Sequence, residues 1–226
     1  DSKNFKSRDR KFKMEHAVLF ETRIEYEDGT FETVLSDDKL KVAESPVRSS
    51  DLFAGELYDA QMEQEGWNCA GFDDGGWQNG ILSGAYYDNL VVQYGEPVRP
   101  VKEVEAVGME VSPKGETIID FGQNLAGVLR VKVDLPAGTK LILDHFETKD
   151  SQGNYFNNIA GADMTGHTQT DVYISNGKPA EYRPHFTYHG FRYVRVICDA
   201  PVKPEDFTAV AHAGQFWARD KEEKNI

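Results

Sequence analysis

Apolar and polar residues alternate with a period of two along most of the chain, which is the pattern of β-strands. In the stretch AVLFETRIEY, Val18, Phe20 and Ile24 fall on one side, and polar residues such as Glu21 and Arg23 fall mostly on the other. The residues EDGT follow as turn formers, and FETVL then resumes an extended pattern. Residues 17–35 therefore predict a β-hairpin.

The same alternation is clearest near the middle of the chain. In VLRVKVD, the apolar residues Leu129, Val131 and Val133 alternate with charged residues, and PAG at 136–138 supplies a turn before TKLILDHFE. No amphipathic-helix pattern extends beyond about ten residues. Further strands are predicted near residues 90–94, 101–111, 117–121, 169–175, 181–197 and 207–212.

Many short strands separated by Gly, Pro, Asn and Asp turns are typical of sheets packed face to face. We therefore predict an all-β protein of two consecutive antiparallel β-sandwich (jelly-roll) modules. The segment YGEPVRPVKEVEA runs extended between them and places a boundary near residue 101. The predicted division is a flexible basic lead-in (1–13), a first module (14–101), a second module (102–215) and a tail (216–226).

The net charge of -13 over 226 residues changes the range of expected partners. Nucleic-acid binding draws on clustered Lys and Arg, so a nucleic acid is excluded, and a neutral ligand or a bound cation fits better. The basic cluster DSKNFKSRDRKFK has no apolar periodicity and is interpreted as a lead-in without function. No run reaches the roughly 18 apolar residues of a membrane span, so no membrane partner is expected.

The two cysteines, Cys69 and Cys198, are far apart and lack a C-x-x-C partner. This pattern indicates neither a zinc framework nor a disulfide scaffold. One bridge between them is an alternative, but we expect two buried free thiols. The redox compartment and the cellular location are left open.

The segment RPHFTYHGFRYVRV places His185 and His189 four residues apart, among four aromatic rings. Pro184 disfavours a helix, and FRYVRV alternates like a strand. In a strand, positions i and i+4 are about 13 Å apart, too far for two imidazoles to share one zinc ion. A shared zinc would need a sharp bend near Gly190, which leaves core packing or sugar stacking for the rings.

Candidate sugar-binding residues cluster in GWNCAGFDDGGWQNG. Indole faces stack on sugar rings, and carboxylates accept hydrogen bonds from hydroxyls or bind calcium. The alternative is that the rings anchor a loop and the acids shape turns. The candidates are Trp67, Trp77, Asp73 and Asp74 in this window, Asp59 before it, and the pair Asp88 and Asn89 in AYYDNL.

Catalytic motifs are lacking: the sequence has no G-x-S-x-G elbow, no Gly-rich phosphate loop before a helix and no H-E-x-x-H. The 38 acidic residues offer too many pairs to single out a hydrolytic dyad. The residues by themselves predict acidic β-sandwich modules with aromatic-lined loops suited to sugar binding.

Several motifs resemble, in order, the N-terminal modules of bacterial α-L-rhamnosidases of glycoside hydrolase family 78. The first module matches through IEYEDGTFETVLSDDKLKVAESPV and GELYDAQMEQEGWNCAGFDDGGW, and the second through IIDFGQNLAGVLRVKVDLPAGTKLILDHFE, DSQGNYF and RPHFTYHGFRYVRV. The resemblance spans residues 15–212.

The resemblance implies a modular enzyme that removes terminal L-rhamnose with inversion, with its acid and base on an (α/α)6 barrel that would follow residue 212. No position here matches the catalytic motifs, so no catalytic residue is assigned and the chain alone is expected to be inactive. In some members a jelly-roll module binds rhamnose through calcium with an Asp-Asn pair. Asp59 is followed by Ala60, whereas Asp88 and Asn89 form such a pair.

The leading prediction is a non-catalytic region that binds rhamnose-containing carbohydrate, with calcium as a candidate ion and no required cofactor. Its partner would be a catalytic domain outside this chain. One alternative is a purely structural pair of modules, indicated by an apolar patch near Phe191, Tyr193 or Trp217. Another is a small sugar-acting enzyme.

Overall fold

The computed structural model describes residues 17–84, 90–157 and 168–214. These residues form two compact units. The smaller unit contains residues 17–44 and 64–92, and the larger contains residues 45–63 and 93–214, with the gaps given above. The chain thus leaves the smaller unit at residue 45, forms two strands of the larger one, and returns at residue 64.

The smaller unit contains the predicted hairpin. Strands β1 (Glu21–Glu25) and β2 (Phe31–Leu35) pair antiparallel, with Glu21 opposite Leu35. Asp28 accepts hydrogen bonds from the backbone N–H and the hydroxyl of Thr30, which fixes the turn. The hairpin is confirmed, but both strands remain exposed. A second short pair joins β3 (Lys41–Val42) to β6 (Gln78–Asn79).

The strands of the larger unit, in chain order, are β4 (Val47–Asp51), β5 (Gly55–Asp59), β7 (Arg99–Glu105), β8 (Gly108–Val111), β9 (Thr117–Val133), β10 (Lys140–Phe146), β11 (Thr148–Lys149), β12 (Tyr155–Phe156), β13 (Thr170–Ile174), β14 (Ala180–Tyr182), β15 (His189–Ile197) and β16 (Phe207–Ala213). Among its described residues, 3-10 helices lie at Ala60–Met62 and Pro204–Asp206.

Most of these strands form one extensive sheet with strand order β4-β5-β13-β10-β15-β9-β16-β7, and β8 and β14 also pair with β9. All pairs of this sheet are antiparallel except β5 with β13. Strands β11 and β12 form a separate antiparallel pair.

Strand β9 is long enough to take part in two groups of strands. Its first part pairs with β8 and β15, and its last part pairs with β14 and β16. Between them the register with β15 jumps, so that Leu125 lies opposite Phe191 while Asp120 lies opposite Tyr193. Such an irregularity bends a strand and increases its twist. The sheet therefore curls and encloses a core.

The core of the larger unit confirms the alternation seen in the sequence. Leu129, Val131 and Val133 are buried, whereas Lys132 is exposed. In β10 both faces are covered, because Asp144 is buried as well as Leu143. The other large members of the core are Ile119, Phe121, Leu141, Tyr173, Tyr182, Phe191, Val194, Val196 and Phe207.

Several predicted strands differ from the observed ones. Residues 101–111 contribute to two strands, β7 and β8, and residues 117–121 are the start of the long strand β9. Residues 90–94 form no strand, and Val91 and Val92 are largely exposed, so their apolar run has no sheet neighbour in the described part of the chain. Residues 181–197 form two strands rather than one, because the segment 183–188 pairs with neither neighbour. Pro184, which lies in that segment, cannot donate a backbone hydrogen bond to a neighbouring strand.

The predicted boundary near residue 101 falls within β7, and residues 45–63 pack in the larger unit. The predicted module limits remain predictions. The lead-in at 1–13 and the tail at 216–226, with Trp217, lie outside the described residues. In the described ranges no helix has the length and apolar character needed to cross a membrane.

Both cysteines are free thiols, as expected. The expected burial is wrong for Cys69, which is exposed, and Cys198 is half-buried. Cys69 lies in a run of tight turns, where its backbone N–H bonds to the carbonyl of Gly66.

Candidate functional site

The loop of residues 64–77 in the smaller unit is a succession of tight turns. Backbone hydrogen bonds join Trp67 N–H to the carbonyl of Gln64 at 3.2 Å and Trp77 N–H to the carbonyl of Asp74 at 2.9 Å. Gly66 and Gly71 have φ near +80°, which a residue with a Cβ adopts only with strain. These turns give the loop a defined shape without a strand or helix.

The two tryptophans of this loop have different roles. The Trp77 indole N–H donates to the side-chain oxygen of Gln64 at 2.8 Å, and its ring packs on Phe72 with centroids 5.6 Å apart. Trp77 is therefore a loop anchor, the alternative considered for it from the sequence. Trp67 is 62% exposed. Its indole is available for stacking on a ligand.

The acidic candidates also differ in their hydrogen-bonding roles and in the unit to which they belong. Asp73 accepts the backbone N–H of Gly75 at 3.0 Å and shapes a turn. Asp74 is exposed, and no described residue donates a hydrogen bond to its carboxylate. Asp59 belongs to the larger unit, where it caps the first 3-10 helix by accepting Gln61 N–H at 3.0 Å. Asp88 and Asn89 lie outside the described residues.

The segment RPHFTYHGFRYVRV divides between loop and core. His185 lies in the loop before β15, stacks on Tyr58 at 5.9 Å, and has its ring 3.5 Å from the buried carboxylate of Glu56. His189 begins β15 and is buried. Phe191 is fully buried, whereas Phe186 is 69% exposed. The two histidines thus face different groups.

A buried polar cluster lies within the larger unit, on three adjacent strands. His189 Nε2 is 3.2 Å from one carboxylate oxygen of Asp171, and His145 Nε2 is 3.8 Å from the other. The two imidazole centroids are 4.3 Å apart. All three side chains are completely buried. Sequence reasoning missed this cluster, although His145 shares the apolar face of LILDHFE with Leu141 and Leu143.

Burial and the neighbouring groups together set the charge of the side chains in this cluster. Burial lowers the pKa of His145 to about 3, aided by the nearby His189, so this imidazole is neutral at neutral pH. Burial also acts to raise the pKa of Asp171, but the hydrogen bond from His189 and the neighbouring His145 outweigh it and keep that pKa below its ordinary value. The backbone N–H of Glu56 donates to Asp171 at 3.0 Å and further stabilises the anion.

Ion pairs cover the opposite face of the same strands. Arg195 binds Asp144 at 2.6 Å and Glu116 at 3.2 Å, and Arg192 binds Asp120 at 2.9 Å. Burial acts to raise the pKa of Glu116 and of Asp120, but hydrogen bonds, including those from the two arginines, keep both pKa values below their ordinary ones. Both carboxylates therefore gain stability from being ionised in the folded chain.

This arrangement predicts a loss of stability in acid. A carboxyl with a lowered folded pKa stabilises the fold fully above its unfolded pKa, and that contribution disappears as the pH falls through the folded value. We expect the melting temperature to decrease as the pH drops below about 4.

In Arg192→Gln the decrease in melting temperature should be smaller, because Asp120 no longer has Arg192 to lower its pKa in the folded chain. Arg183→Gln, which changes an exposed arginine, should behave like the wild type in melting curves recorded at neutral pH and below about pH 4. Equal acid loss in all three chains would contradict the role of the Arg192–Asp120 pair.

Family models match most of the chain. Residues 1–102 match the α-L-rhamnosidase N-terminal domain, and residues 110–212 match the bacterial α-L-rhamnosidase concanavalin-like domain. The second match agrees with the curled sheet of the larger unit, since the concanavalin-like domain is a β-sandwich.

Individual relatives agree with the family models. An α-L-rhamnosidase from Streptomyces avermitilis is 38% identical over 83% of this chain and 18% of its own length. The crystal structure of the Streptomyces avermitilis enzyme complexed with L-rhamnose has a TM-score of 0.77 at 34% identity, over 87% of this chain and 19% of that one. The enzyme from Dictyoglumus thermophilum gives 0.78 at 32% identity, over 87% and 22%.

The chain spans about a fifth of the length of these relatives. Its two matched domains occur in the order that the sequence motifs indicated, and they cover nearly all of the described residues. The chain belongs to the bacterial α-L-rhamnosidase family, in which it corresponds to the N-terminal and concanavalin-like domains.

Proposed function

We propose that the chain is a non-catalytic accessory region of an α-L-rhamnosidase, and that its smaller unit binds rhamnose-containing carbohydrate at the loop of residues 64–77. In this proposal, hydrolysis of terminal L-rhamnose belongs to another part of the whole protein. A relative over a third identical to this chain was crystallised with L-rhamnose, which supports the choice of sugar.

The observation that carries the proposal is the exposure of Trp67. An indole that is 62% exposed presents an apolar ring face to water, and sugar rings are among the ligands that stack on such a face. Trp77, Gln64 and the glycine turns hold the loop in place, so little ordering is needed when a ligand binds.

Calcium is the proposed ion for this site. Asp74 offers an unengaged carboxylate, and the second oxygen of Asp73 is available beside its turn hydrogen bond. Hard carboxylate oxygens are the ligands that calcium prefers. Asp88 and Asn89 supply the same chemistry and remain candidates. Asp59 is engaged as a helix cap, so we give it no place in this proposal.

Replacing Trp67 tests the stacking role. We expect Trp67→Ala to lose at least tenfold in affinity for L-rhamnose while the melting temperature stays near that of the wild type, because an exposed side chain contributes little to folding. Trp67→Phe should keep part of the affinity, since a smaller aromatic face remains. Binding is measured by calorimetric titration and folding by thermal melting.

Trp77→Phe is the matched control, because it changes the anchor of the same loop. Its loss of the hydrogen bond to Gln64 should lower stability by about 1 kcal/mol and affect binding only through the loop. Full rhamnose affinity in Trp67→Ala would exclude this indole as the sugar platform.

A structural role is the second candidate function. The sequence predicted an apolar patch near Phe191, Tyr193 or Trp217 for this role. Phe191 is buried and Tyr193 half-buried, and Trp217 lies outside the described residues. Nearby, however, Phe186 and Tyr188 are 69% and 52% exposed. Exposed aromatic groups of this kind favour packing against another domain. Rhamnose turnover by the isolated chain would instead support a small enzyme in its own right.

A further inference from the structure

The cluster of His145, Asp171 and His189 brings together three strands that are far apart in sequence. The strands lie side by side in the order β13, β10, β15, and each contributes one side chain to the inner face. The register shift between Phe191 and Tyr193 turns His189 to the same face as Val194 and Val196. The irregularity of β15 therefore helps to assemble the cluster.

The hydrogen bond at the far side of His145 fixes which of its nitrogens carries the proton. His145 Nδ1 lies 2.9 Å from the backbone carbonyl of Gln169, and a carbonyl only accepts. Nδ1 is therefore the protonated nitrogen of the neutral ring, and Nε2 presents a lone pair. This is the arrangement in which a carbonyl orients a metal-binding imidazole.

Two acceptors face one another without a donor between them. His145 Nε2 and the Oδ2 atom of Asp171 are 3.8 Å apart, and neither has a hydrogen-bond partner in the described chain. A lone pair beside a carboxylate oxygen in a completely buried site is costly. A cation between the two atoms would satisfy both.

We propose that His145, Asp171 and His189 bind one divalent transition-metal ion, with zinc as the first choice. Its ligands are Nε2 of each histidine and Oδ2 of Asp171, and on binding the ion His189 Nε2 releases the proton that it donates to Asp171 in the metal-free chain. Ligand atoms about 2.1 Å from a tetrahedral zinc ion are about 3.4 Å from each other. His145 Nε2 is 3.8 Å from Oδ2, and one ligand atom from each of the three residues lies within 4.8 Å of the other two. His189 Nε2 is 3.2 Å from Oδ1, the other oxygen of the same carboxylate.

The ligand set selects the class of metal. Two imidazoles and one carboxylate suit zinc, iron, cobalt or nickel, whereas calcium and magnesium prefer oxygen ligands. This ion is thus different from the calcium proposed for the smaller unit and does not depend on the proposed function. Since the side chains are completely buried, the ion ties three strands together and stabilises the folded state.

The surroundings provide the outer contacts that such a site needs. Gln169 orients His145 through its carbonyl, and the Glu56 N–H holds the other oxygen of Asp171 at 3.0 Å. Gly55 permits this approach, because a Cβ there would lie 2.1 Å from the carbonyl oxygen of Thr170 and 2.9 Å from Asp171 Oδ1. The backbone around Asp171 is fitted to the carboxylate.

The test begins with the metal content of the wild-type chain, purified without a histidine tag and stripped with a strong chelator. We expect zinc to bind the stripped chain at one ion per chain in calorimetric titration and to raise its melting temperature. Cobalt should bind in the same place and give the visible absorption of a low-coordinate nitrogen and oxygen site rather than that of the hydrated ion.

Variants assign the ion to this cluster. Asp171→Asn keeps the size of the side chain and an acceptor for Glu56 N–H, but it removes the anionic ligand, so zinc should bind at least tenfold more weakly. His189→Gln should do the same. The matched control is His212→Gln, which removes a histidine whose ring contacts the carbonyl of Val210 instead. It should bind zinc like the wild type.

Two results would overturn the proposal. In one, the folded and stripped wild-type chain takes up neither zinc nor cobalt and shows no thermal shift with either. In the other, Asp171→Asn binds zinc as tightly as the wild type, which would place the ion on other histidines. If the variants do not fold, the cobalt spectrum of the wild type decides whether the ion is in the buried cluster. A spectrum of hydrated cobalt would exclude that site.

Discussion

Gly127→Ala is expected to destabilise the larger unit by more than about 3 kcal/mol, or to prevent folding. A Cβ at this position would lie 2.0 Å from the carbonyl oxygen of Val210 and 3.0 Å from Ala211 Cα. Both atoms belong to the backbone of β16, which pairs with β9 at this point, so no side chain can move aside. The two strands have to separate, and the link between the two groups of strands along β9 weakens.

Gly108→Ala is the matched control in the same sheet. Gly108 lies in β8, which also pairs with β9, but a Cβ there meets no atom within 4 Å and its φ is not positive. This change should alter stability by less than about 1 kcal/mol. Chemical denaturation measures the free energy of unfolding of both variants, provided that its slope against denaturant concentration is the same for the two. Near-equal stability of the two variants would contradict the close approach of β9 and β16.

Phe191→Ala is expected to cost about 3–5 kcal/mol. The ring is completely buried and meets Phe121 edge-on at 5.7 Å and His145 at 4.8 Å. Removing it leaves a cavity beside the buried histidines that the surrounding strands cannot close. Phe186→Ala, five residues earlier and 69% exposed, should change stability by no more than about 0.5 kcal/mol.

Denaturant titration of both phenylalanine variants tests which part of the aromatic segment RPHFTYHGFRYVRV belongs to the core. A large loss in Phe191→Ala alone means that the strand half of the segment is core. Comparable small losses in both would mean that the ring of Phe191 is not packed as the structure has it.

Local patterns predicted the all-β class, the hairpin within residues 17–35 and the buried face of Leu129, Val131 and Val133. These features depend on the alternation of neighbouring residues, which the sequence displays directly. The run at 90–94 was wrongly predicted as a strand, because apolar character does not reveal whether a neighbouring strand is available.

The cluster of His145, Asp171 and His189 could not be found by spacing within the sequence. Spacing in the sequence pairs His189 with His185, four residues away, and a zinc ion shared by that pair would need a sharp bend near Gly190. In the structure, His189 lies beside His145 from another strand, through pairings separated by more than 40 residues. The register shift in β15, which turns His189 inward, has no signature in the residue pattern.

The candidate sugar site was predicted at the level of the loop but not of the individual side chain. Trp67 and Trp77 look alike in the sequence, since each lies among glycines and acids. Only the hydrogen bond from Trp77 to Gln64 and its packing on Phe72 distinguish an anchor from an exposed ring. Family resemblance then connected the loop with rhamnose, which the residue types alone do not specify.

Calorimetric titration of L-rhamnose into the chain, once with calcium and once after chelation, distinguishes carbohydrate binding from a purely structural role. We expect saturable heat in the presence of calcium and its loss after chelation, with the chain folded under both conditions. A folded chain that gives no heat with calcium would contradict carbohydrate binding and leave the structural role, carried by the exposed Phe186 and Tyr188.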